Sequence, residues 1–281
     1  MLCPMKDLLE QAKMENRAVG AFSVGNMEMV LGAVKAAEEL NTPIILQIAE
    51  VRLKHSPLGC MGPMMVQAAK EAKVKVAVHL DHGLTMETLQ KALDLGFTSV
   101  MFDGSHYPLE ENIRRTKEAV DLARKYGATA EAELGVVGGS EDGSEDHKIK
   151  YTDPTEAKKF AEETGIDALA VAIGNAHGNY TSEPKLNFEV LQKIENNVNI
   201  PLVLHGGSGI SAQDFRKGID LGIRKINIAT ASFEALTNKA KEYLATEGKH
   251  SYFTLNEDMI KGVYENVKNC ILIFNNEVKL G

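Results

Sequence analysis

The sequence predicts a TIM (β/α)8 barrel, an α/β fold, with an additional N-terminal helix and C-terminal helix. Segments rich in Val, Ile and Leu alternate eight times with amphipathic segments, which is the pattern of strand–helix units around a parallel sheet. The length of 281 residues suits this fold, which typically takes roughly 250 residues. No break in composition divides the chain, so we expect one domain over residues 1–281.

Each predicted strand is a short apolar segment rich in the residue types that favour extended backbone. These strands are Arg17–Val24, Pro43–Ala49, Val74–Leu80, Thr98–Phe102, Ala128–Leu134, Ala168–Ile173, Ile200–His205 and Ile223–Ile228. Each is followed by apolar residues at helical spacing. The corresponding helices are Met27–Leu40, Gly62–Lys73, Thr85–Leu95, Glu110–Tyr126, Pro154–Thr164, Phe188–Asn196, Ala212–Leu221 and Ser232–Ala245. Helices at Lys6–Lys13 and Leu255–Phe274 lie outside the eightfold pattern.

A doubly wound parallel sheet is the alternative to the barrel. Such a sheet needs fewer strands and usually has a Gly-rich turn after the first one, whereas Val24-Gly25-Asn26 is a poor phosphate-binding sequence. The segment Gly135–Lys150 does not fit the repeat because it is long, polar and rich in glycine. Loops of this length are usually functional lids or disordered, and both interpretations stay open here.

Composition and charge exclude several classes of function. Hydrophobic residues make up 44% and charged residues 25% of the chain, as in ordinary globular proteins. The formal net charge of −8 argues against nucleic-acid binding, which needs a clustered basic surface. Cys3, Cys60 and Cys270 are odd in number and far apart, with no C-x-x-C, which fits neither a disulfide framework nor a thiolate zinc site. Since neither a membrane span nor a signal peptide is apparent, we expect a cytoplasmic protein.

Histidines concentrate where the predicted strands end. In a TIM barrel, the catalytic residues lie at the carboxyl ends of the strands. His82, His177 and His205 lie at the ends of three different strands, and a glycine comes directly after each. Three histidines with an open fourth position form a catalytic zinc site, and glycine allows close approach of the backbone. One such histidine alone would more simply be a satisfied polar residue, and this is how we interpret His79.

The loops after the seventh and eighth strands are the usual phosphate-binding position of this fold. Gly206-Gly207-Ser208-Gly209 is expected to supply free amides and a hydroxyl, and Ser211 with Asp214 resembles a capping box. A helix N-terminus of this kind binds an anion without a basic side chain. A plain Gly-rich turn is the alternative interpretation. The polar segment Asn227–Thr230 on the adjacent strand favours the phosphate site.

Carboxylates near the predicted zinc are candidates for proton transfer. Asp81 directly precedes His82 and should lie within reach of a metal-bound substrate, although support of the histidine ligand is an alternative role. Glu141 lies on the Gly-rich segment, where a solvated loop acid is the simpler interpretation. Of Glu131 and Glu133, we expect one to point into the barrel near the metal.

Six short motifs carry a family resemblance that extends from Ala18 to about Leu244. They are Leu80-Asp81-His82-Gly83, Met101–His106, Glu131–Gly135, Gly138-Gly139 with Glu141–Gly143, Gly174–Gly178 and His205–Gly209. Together they resemble the class II, zinc-dependent ketose-bisphosphate aldolases, the family of fructose- and tagatose-bisphosphate aldolases.

The resemblance implies a cofactor and a ligand set. His82, His177 and His205 are implied to bind catalytic Zn²⁺, with Glu133 as an alternate ligand. A monovalent cation, Na⁺ or K⁺, beside the phosphate is implied by the resemblance alone. Association is common in the family, and the last helix lies outside the barrel, so we expect a homodimer or homotetramer.

The resemblance also implies roles in catalysis and substrate binding. Asp81 is implied to be the acid/base for the aldehyde oxygen, and Glu141 is implied to move the proton on dihydroxyacetone phosphate. The residues implied to hold the ketone's phosphate and its enediolate are Gly178, Gly206, Gly207, Ser208, Asn227 and Thr230.

The sequence departs from the family pattern at positions that can reach the aldehyde. Ser23 stands where Asn is common, and Gln47-Ile48-Ala49 replaces Gln-x-Ser. A frequent lysine is absent near Thr181, as is the usual Asp-Pro-Arg near His250. Ala229 replaces the aspartate of fructose-type enzymes and is similar to the tagatose-type Asn-x-Ala-Thr run. Ser23, Gln47 and Ala229 remain candidate substrate-binding residues.

The expected substrate is a phosphorylated sugar. The family resemblance implies fructose 1,6-bisphosphate or tagatose 1,6-bisphosphate as the substrate. Either would be cleaved reversibly to dihydroxyacetone phosphate and glyceraldehyde 3-phosphate. A ketose 1-phosphate, whose aldehyde product carries no phosphate, is the alternative because basic residues are missing. A non-catalytic sugar-phosphate-binding barrel is disfavoured by Asp81 and Glu141, and a zinc amidohydrolase by the lack of His-x-His at Phe22–Val24.

Overall fold

In the computed structural model of the protein, eight parallel strands close into a barrel in sequence order, and the first strand pairs with the last. The structure describes residues 1–139, 148–180 and 183–278. The strands are β1 (Val19–Ser23), β2 (Ile44–Ala49), β3 (Val76–Gly83), β4 (Ser99–Phe102), β5 (Thr129–Leu134), β6 (Ala168–Val171), β7 (Leu202–Leu204) and β8 (Ile223–Ile228). The TIM-barrel prediction is confirmed, and the doubly wound alternative is wrong.

Helices follow the strands around the outside of the barrel. They are α1 (Met5–Met14), α2 (Met27–Glu39), α3 (Leu58–Glu71), α4 (Met86–Asp94), α5 (Leu109–Lys125), α6 (Pro154–Thr164), α7 (Phe188–Glu195), α8 (Ala212–Asp220), α9 (Thr230–Leu244) and α10 (Tyr252–Phe274). Within residues 1–139, 148–180 and 183–278, no helix has the length and apolar character needed to cross a membrane.

Several element boundaries differ from the predictions by a few residues, and the start of α3 differs for an identifiable physical reason. The helix α3 begins at Leu58, before the predicted Gly62, because Pro57 at its N-cap starts it and Pro63 lies inside it. Proline normally breaks a helix, so its position obscured the first turn. A short 3₁₀ turn, Glu50–Arg52, follows β2 and was not predicted from the sequence.

The amino-terminal end of the barrel is closed by α1. Its buried Met5, Leu8 and Leu9 pack against small and β-branched side chains inside the strands, including Ala21 and Val203. Complete burial of a leucine side chain contributes about 1.5–3 kcal/mol to the stability of the folded state. Burial of these residues of α1 therefore stabilises the inside of the barrel. The apolar cluster inside the barrel therefore occupies its amino-terminal end and leaves the other end for polar residues, while a larger apolar core lies between the strands and the outer helices.

The last helix is docked within the chain. The helix α10 packs against α2 and α9, and glycines make the close approach possible. A Cβ on Gly32 would lie 2.7 Å from the carbonyl oxygen of Ile260, and one on Gly262 would lie 2.5 Å from that of Ala235. The apolar face of α10, with Val267 at 0% exposure, is thus covered by the chain itself.

Candidate active site

Asp81 and His82 are consecutive in β3, yet both turn towards the same group of side chains. A regular strand sends neighbouring residues to opposite faces. The pairing of β3 with β4 has an irregularity between Leu80 and Gly83, and His82 has φ of 42°, which is uncommon for residues other than glycine. Such a β-bulge re-aims a side chain. It lets the His82 ring reach the barrel mouth beside Asp81.

The three predicted zinc ligands come together. Nδ1 of His205 lies 2.8 Å from Nε2 of His82. The ring centroid of His177 lies 4.8 Å from that of His82 and 5.9 Å from that of His205. One nitrogen from each ring falls within 4.8 Å of the others, which suits a shared metal ion. His82 and His205 are buried, whereas His177 is half-buried and lies nearer to solvent.

His82 is oriented by a carboxylate. Its Nδ1 lies 2.7 Å from Oδ2 of Asp103, which leaves Nε2 to face the other histidines. Burial alone would raise the pKa of Asp103, but its bonds to His82 and Ser105 outweigh burial and hold that pKa well below its usual value. The Asp103 carboxylate therefore stays ionised, as expected of a group that supports a metal-binding histidine.

Both glutamates of β5 face the barrel interior, so the expectation that only one would do so is wrong. Residues two apart in a strand lie on the same face. Oε1 of Glu131 lies 2.9 Å from Nε2 of His205, and Oε2 of Glu133 lies 3.8 Å from Nδ1 of the same ring. Two carboxylates thus flank His205, one at each nitrogen.

Glu133 has the features of a group that faces a cation. Its Oε1 accepts a hydrogen bond from the amide of Val137 at 3.2 Å, whereas its buried Oε2 has no hydrogen-bond partner among the described residues. Burial, with the nearby Asp103 carboxylate as the second cause, raises the pKa of Glu133 to about 8. Glu133, Asp103 and His82 also form a second group with metal-ligand spacing.

Asp81 lies at the centre of a hydrogen-bonded network. Nε2 of Gln47 donates to Oδ2 of Asp81 at 3.0 Å and also to Oγ of Ser23 at 3.2 Å. Nδ2 of Asn227 donates to Oδ1 of Asp81 at 3.0 Å. Three of the predicted substrate-binding residues, Ser23, Gln47 and Asn227, are therefore gathered around the predicted acid/base.

A buried lysine beneath the site was not predicted from the sequence. Lys225 is wholly buried in β8, and its Nζ lies 3.0 Å from Oε2 of Glu131 and 2.7 Å from Oδ1 of Asn227. The one available signal was its spacing of two residues from Asn227, which puts both on the inner face.

His79 lies near Lys225 and is a buried polar residue, as predicted. Its Nδ1 is 2.7 Å from Oγ of Ser99. Burial, followed by the charge of Lys225, lowers the pKa of His79 well below its ordinary value.

The loops that carry His177 and His205 are joined by polar side chains. Nδ2 of Asn175 donates to the carbonyl oxygen of His205 at 3.0 Å. The hydroxyl of Tyr180 donates to the carbonyl oxygen of Gly206 and accepts from the amide of Ala176, both at 2.9 Å. Tyr180 was not among the predicted site residues, because only the folded loops bring its ring to Gly206.

The glycines after the histidines lie so close to neighbouring backbone that no side chain would fit there. A Cβ on Gly83 would lie 2.4 Å from the carbonyl oxygen of Met101, and one on Gly206 would lie 2.1 Å from that of Ala176. Gly206 also has φ of 63° and Gly178 has φ of 80°, where other residues are strained. Glycine at these positions lets neighbouring strand ends approach each other.

The predicted phosphate-binding turn lies beside the N-terminus of α9. Oγ of Ser208 accepts a hydrogen bond from the amide of Ala231 at 3.0 Å. The amide of Gly207 donates to the carbonyl oxygen of Asn227 at 2.9 Å, so the expectation of a free amide is wrong there. The amides of Ser208 and Gly209 make no hydrogen bond within the part of the chain that the structure describes.

Two further predictions concern the N-termini of α9 and α8, next to this turn. Thr230 is the first residue of α9, and Ala229 is its N-cap, which has no side chain able to cap the helix. Ser211 caps α8 by accepting the amide of Asp214 at 3.1 Å, as predicted. The amides of Ala231, Ser232 and Phe233 in the first turn of α9 already donate to Oγ of Ser208 or to the carbonyl oxygen of Ala229, so this helix offers an anion mainly its dipole.

Part of the predicted site lies outside the described residues. Glu141 and Thr181 are outside them, and so are residues 140–147, half of the segment Gly135–Lys150 that is either a lid or disordered by prediction. The beginning of that segment is anchored beside the site, because the amide of His177 donates to the carbonyl oxygen of Gly138 at 2.7 Å. A Cβ on Gly139 would lie 2.2 Å from the carbonyl oxygen of His177.

A cationic residue at the rim was also not predicted. Arg52 ends the 3₁₀ turn after β2, and its guanidinium carbon lies 4.4 Å from the ring centroid of Phe233 in the first turn of α9. Oγ of Ser56 in the same loop donates to the carbonyl oxygen of Gly25 at 2.8 Å. The loop after β2 is thereby held beside the loop after β1 and the proposed anion-binding helix.

Known proteins match this barrel over nearly the whole chain. The family model for class II fructose-bisphosphate aldolase matches residues 3–279. The chain belongs to the class II fructose-bisphosphate aldolase family. The fructose-bisphosphate aldolase of Geobacillus stearothermophilus is 42% identical to this aldolase over 249 residues, which cover 88% of this chain and 87% of the relative.

The Escherichia coli K12 protein YdjI is similar over an even greater length. It is 41% identical over 280 residues, which cover 99% of both chains. The crystal structure of the YdjI aldolase has a TM-score of 0.88 and 40% sequence identity, and the match covers 98% of this chain and 97% of the other. The family resemblance is thus confirmed, and the protein is an enzyme of the carbon–carbon lyase class.

Proposed function

We propose that this aldolase reversibly cleaves a ketose phosphate into dihydroxyacetone phosphate and an aldehyde, with zinc as its metal. The observation that carries the proposal is the convergence of His82, His177 and His205 beside Asp81 at the carboxyl end of the barrel. A binding barrel without catalysis would need the anion-binding turn, but it would not need a carboxylate held by two amide donors next to a metal site.

The residues fit a zinc ion. His82, His177 and His205 would hold it, and Glu133 would serve as an alternate ligand because its Oε2 is buried near Nδ1 of His205. When bound, Zn²⁺ supplies Lewis acidity towards the ketone oxygen, which makes the neighbouring C–H acidic. Family membership also suggests Na⁺ or K⁺ beside the phosphate.

Asp81 is proposed as the acid/base for the aldehyde half. During cleavage its carboxylate takes the proton from the hydroxyl next to the breaking bond, and during condensation it returns that proton to the aldehyde oxygen. Gln47 and Asn227 hold its two oxygens in place for this transfer. Glu141 is proposed to carry the C–H proton of dihydroxyacetone phosphate.

The phosphate of the ketone is proposed to bind at the turn after β7 and the start of α9. The amides of Ser208 and Gly209 and the N-terminal dipole of α9 attract an anion without a basic side chain. Such a site would allow a chain with a net charge of −8 to bind a phosphorylated substrate. The proposed contacts of this end are Gly178, Gly206, Gly207, Ser208, Asn227 and Thr230, while Ser23, Gln47 and Ala229 are proposed to contact the substrate towards the aldehyde.

Fructose 1,6-bisphosphate and tagatose 1,6-bisphosphate are the proposed substrates, with glyceraldehyde 3-phosphate as the aldehyde product. Arg52 supports a second phosphate, because it is a cation in the loop after β2, the strand that carries Gln47 beside Asp81. Ser23 in place of the common Asn supports the alternative, a ketose 1-phosphate whose aldehyde product carries no phosphate.

Purified protein would first be analysed for metal and then assayed for cleavage of fructose 1,6-bisphosphate, tagatose 1,6-bisphosphate and the matching ketose 1-phosphates. We expect one zinc ion per chain and formation of dihydroxyacetone phosphate from at least one substrate. Loss of activity on chelation and its recovery with Zn²⁺ would support the metal. Absence of dihydroxyacetone phosphate from every reaction would contradict the proposal.

We also propose a single-domain, cytoplasmic enzyme that forms a homodimer or homotetramer. Tyr252 and Phe253 at the start of α10 are 68% and 75% exposed, which gives one chain an apolar surface for another. Light scattering after size-exclusion chromatography would measure the mass, and a monomer at all concentrations would contradict the proposed assembly.

A further inference from the structure

Lys225 is an ammonium group enclosed by the barrel. It is wholly buried, and its described partners are the carboxylate of Glu131, at 3.0 and 3.2 Å from Nζ, and Oδ1 of Asn227, at 2.7 Å. Removal of an ammonium from water is costly unless it is paired. A buried ion pair is also no better for stability than well-packed apolar residues in many proteins. The pair therefore calls for a functional explanation.

One partner leads to the proposed metal. Oε1 of Glu131 lies 2.9 Å from Nε2 of His205. A carboxylate paired with a lysine is ionised and can only accept hydrogen bonds. Nε2 of His205 must therefore be the donor, so the ring hydrogen of His205 belongs on Nε2. The lone pair is then on Nδ1, which lies 2.8 Å from Nε2 of His82 in the proposed ligand group. Lys225 thus fixes the carboxylate that selects the metal-binding nitrogen of His205.

The other partner leads to the proposed acid/base. Lysine can only donate, so the atom of Asn227 that faces Lys225 must be the carbonyl oxygen. The amide nitrogen of Asn227 is then directed to Oδ1 of Asp81, at 3.0 Å. Without the ammonium, the Asn227 amide loses the contact that determines its orientation. A reversed amide would set its oxygen against the Asp81 carboxylate.

We propose that Lys225 is a positioning residue that aligns the zinc ligand His205 and the acid/base Asp81 at the same time. It touches neither the substrate nor the metal, and it acts through Glu131 on one side and Asn227 on the other. This inference rests on the proposed function, since it assigns a common support to two groups of that site.

The test compares Lys225→Met with Arg224→Met. Arg224 is the preceding residue in β8, is also buried, and donates to the carbonyl oxygens of Ile219 and Ile223 on the helix side. Both variants replace a buried base with the same apolar side chain in the same strand. Loss of stability in general should affect both, whereas loss of the site should affect Lys225→Met alone.

Four properties would be measured: melting temperature, the Zn²⁺ dissociation constant by chelator competition, the visible spectrum of the Co²⁺-substituted protein, and kcat with KM at saturating Zn²⁺. For Lys225→Met we expect zinc affinity to fall by about 10–100-fold, as for other groups that support a ligand. The Co²⁺ spectrum should change, and kcat should fall more than KM changes. Arg224→Met should keep the zinc affinity and spectrum of the wild type even if it melts earlier.

A double variant, Glu131→Gln with Lys225→Met, covers the case in which the single variant does not fold, because it leaves no unpaired charge. We expect its zinc affinity to remain below that of the wild type, since glutamine can present either its oxygen or its nitrogen to His205. Wild-type zinc affinity and Co²⁺ spectrum in Lys225→Met, or in the double variant where the single one does not fold, would overturn the proposal for Lys225. A wild-type protein that binds zinc but cleaves no ketose phosphate would instead overturn the proposed function.

Discussion

Asn227 of β8 and Gln47 of β2 donate hydrogen bonds to the two oxygens of Asp81, each at 3.0 Å. Asp81 itself belongs to β3, so three strands fix one carboxylate. These two bonds hold the carboxylate in one orientation at the mouth of the barrel. A general base has to be held in this way, within hydrogen-bond reach of the substrate hydroxyl whose proton it takes.

Replacement of Asp81 by Asn should abolish most turnover without loss of zinc. An amide cannot take a proton, and its NH₂ group would face a donor from Gln47 or Asn227. We expect kcat for cleavage to fall by about 100- to 10,000-fold, the usual contribution of general acid–base catalysis. Zinc content and melting temperature should stay close to those of the wild type.

Asp167→Asn is the matched control for this substitution. Asp167 accepts the amide of Ala130 at 2.8 Å, near the beginning of β5 and away from the barrel mouth. Asparagine can accept the same bond, so this variant should be as active as the wild type. Turnover by Asp81→Asn within a factor of about two of the wild type would remove Asp81 from the acid/base role.

Asp103→Asn should weaken zinc binding rather than chemistry. The Asp103 carboxylate holds Nδ1 of His82 at 2.7 Å, and the loss of such a support typically costs about 10–100-fold in metal affinity. Chelator competition would measure the dissociation constant, and kcat would be measured at saturating Zn²⁺. An unchanged dissociation constant would show that His82 is oriented without Asp103.

The grouping of the three histidines could be predicted from the sequence because its signal is local. Polar residues at strand ends stand out against apolar strands, and His82, His177 and His205 each precede a glycine. The bulge that turns His82 could not be predicted, since it depends on the register of β3 against β4.

Lys225 was missed for a different reason. A lysine in a strand is normally exposed, and its burial is tolerable here only because Glu131, from β5 on the other side of the barrel, meets it. Such a contact between distant residues has no sequence pattern. The fold itself was predictable because the alternation of strands and helices repeats along the whole chain, while helix boundaries such as that of α3 were obscured by local glycine and proline.

The metal-free protein should lose stability as pH rises because of Glu133. The folded pKa of this group is about 8, above its ordinary value of 4.5. The folded state therefore favours the protonated form, and the contribution of Glu133 to the free energy of unfolding is greatest below about pH 4.5 and declines up to about pH 8. Each pKa unit corresponds to about 1.4 kcal/mol, which sets the scale of the effect.

Glu133→Gln should remove this decline. Urea unfolding of wild type and variant would be compared between pH 5 and pH 8, with a chelator present. The variant should gain stability relative to the wild type as pH rises. Zn²⁺ should restore the wild type more than the variant, because a bound cation favours the carboxylate. A difference in stability that is independent of pH would contradict the raised pKa.

Arg52 offers a test of whether the far end of the substrate is charged. Its guanidinium stacks on Phe233 at the rim, and a hydrogen bond from such a group to a phosphate contributes about 1.5–3 kcal/mol. If the aldehyde carries a phosphate that Arg52 binds, Arg52→Gln should raise KM for the ketose bisphosphate by about 10–100-fold and leave the ketose 1-phosphate unaffected. Lys54→Gln, in the same loop with an exposed side chain, is the matched control.

An equal rise in KM for both substrates would assign Arg52 to the phosphate of dihydroxyacetone phosphate, since that group is common to both. Unchanged KM values for both would mean that Arg52 binds neither phosphate, and specificity would then depend on residues such as Ser23 and Gln47 within the barrel.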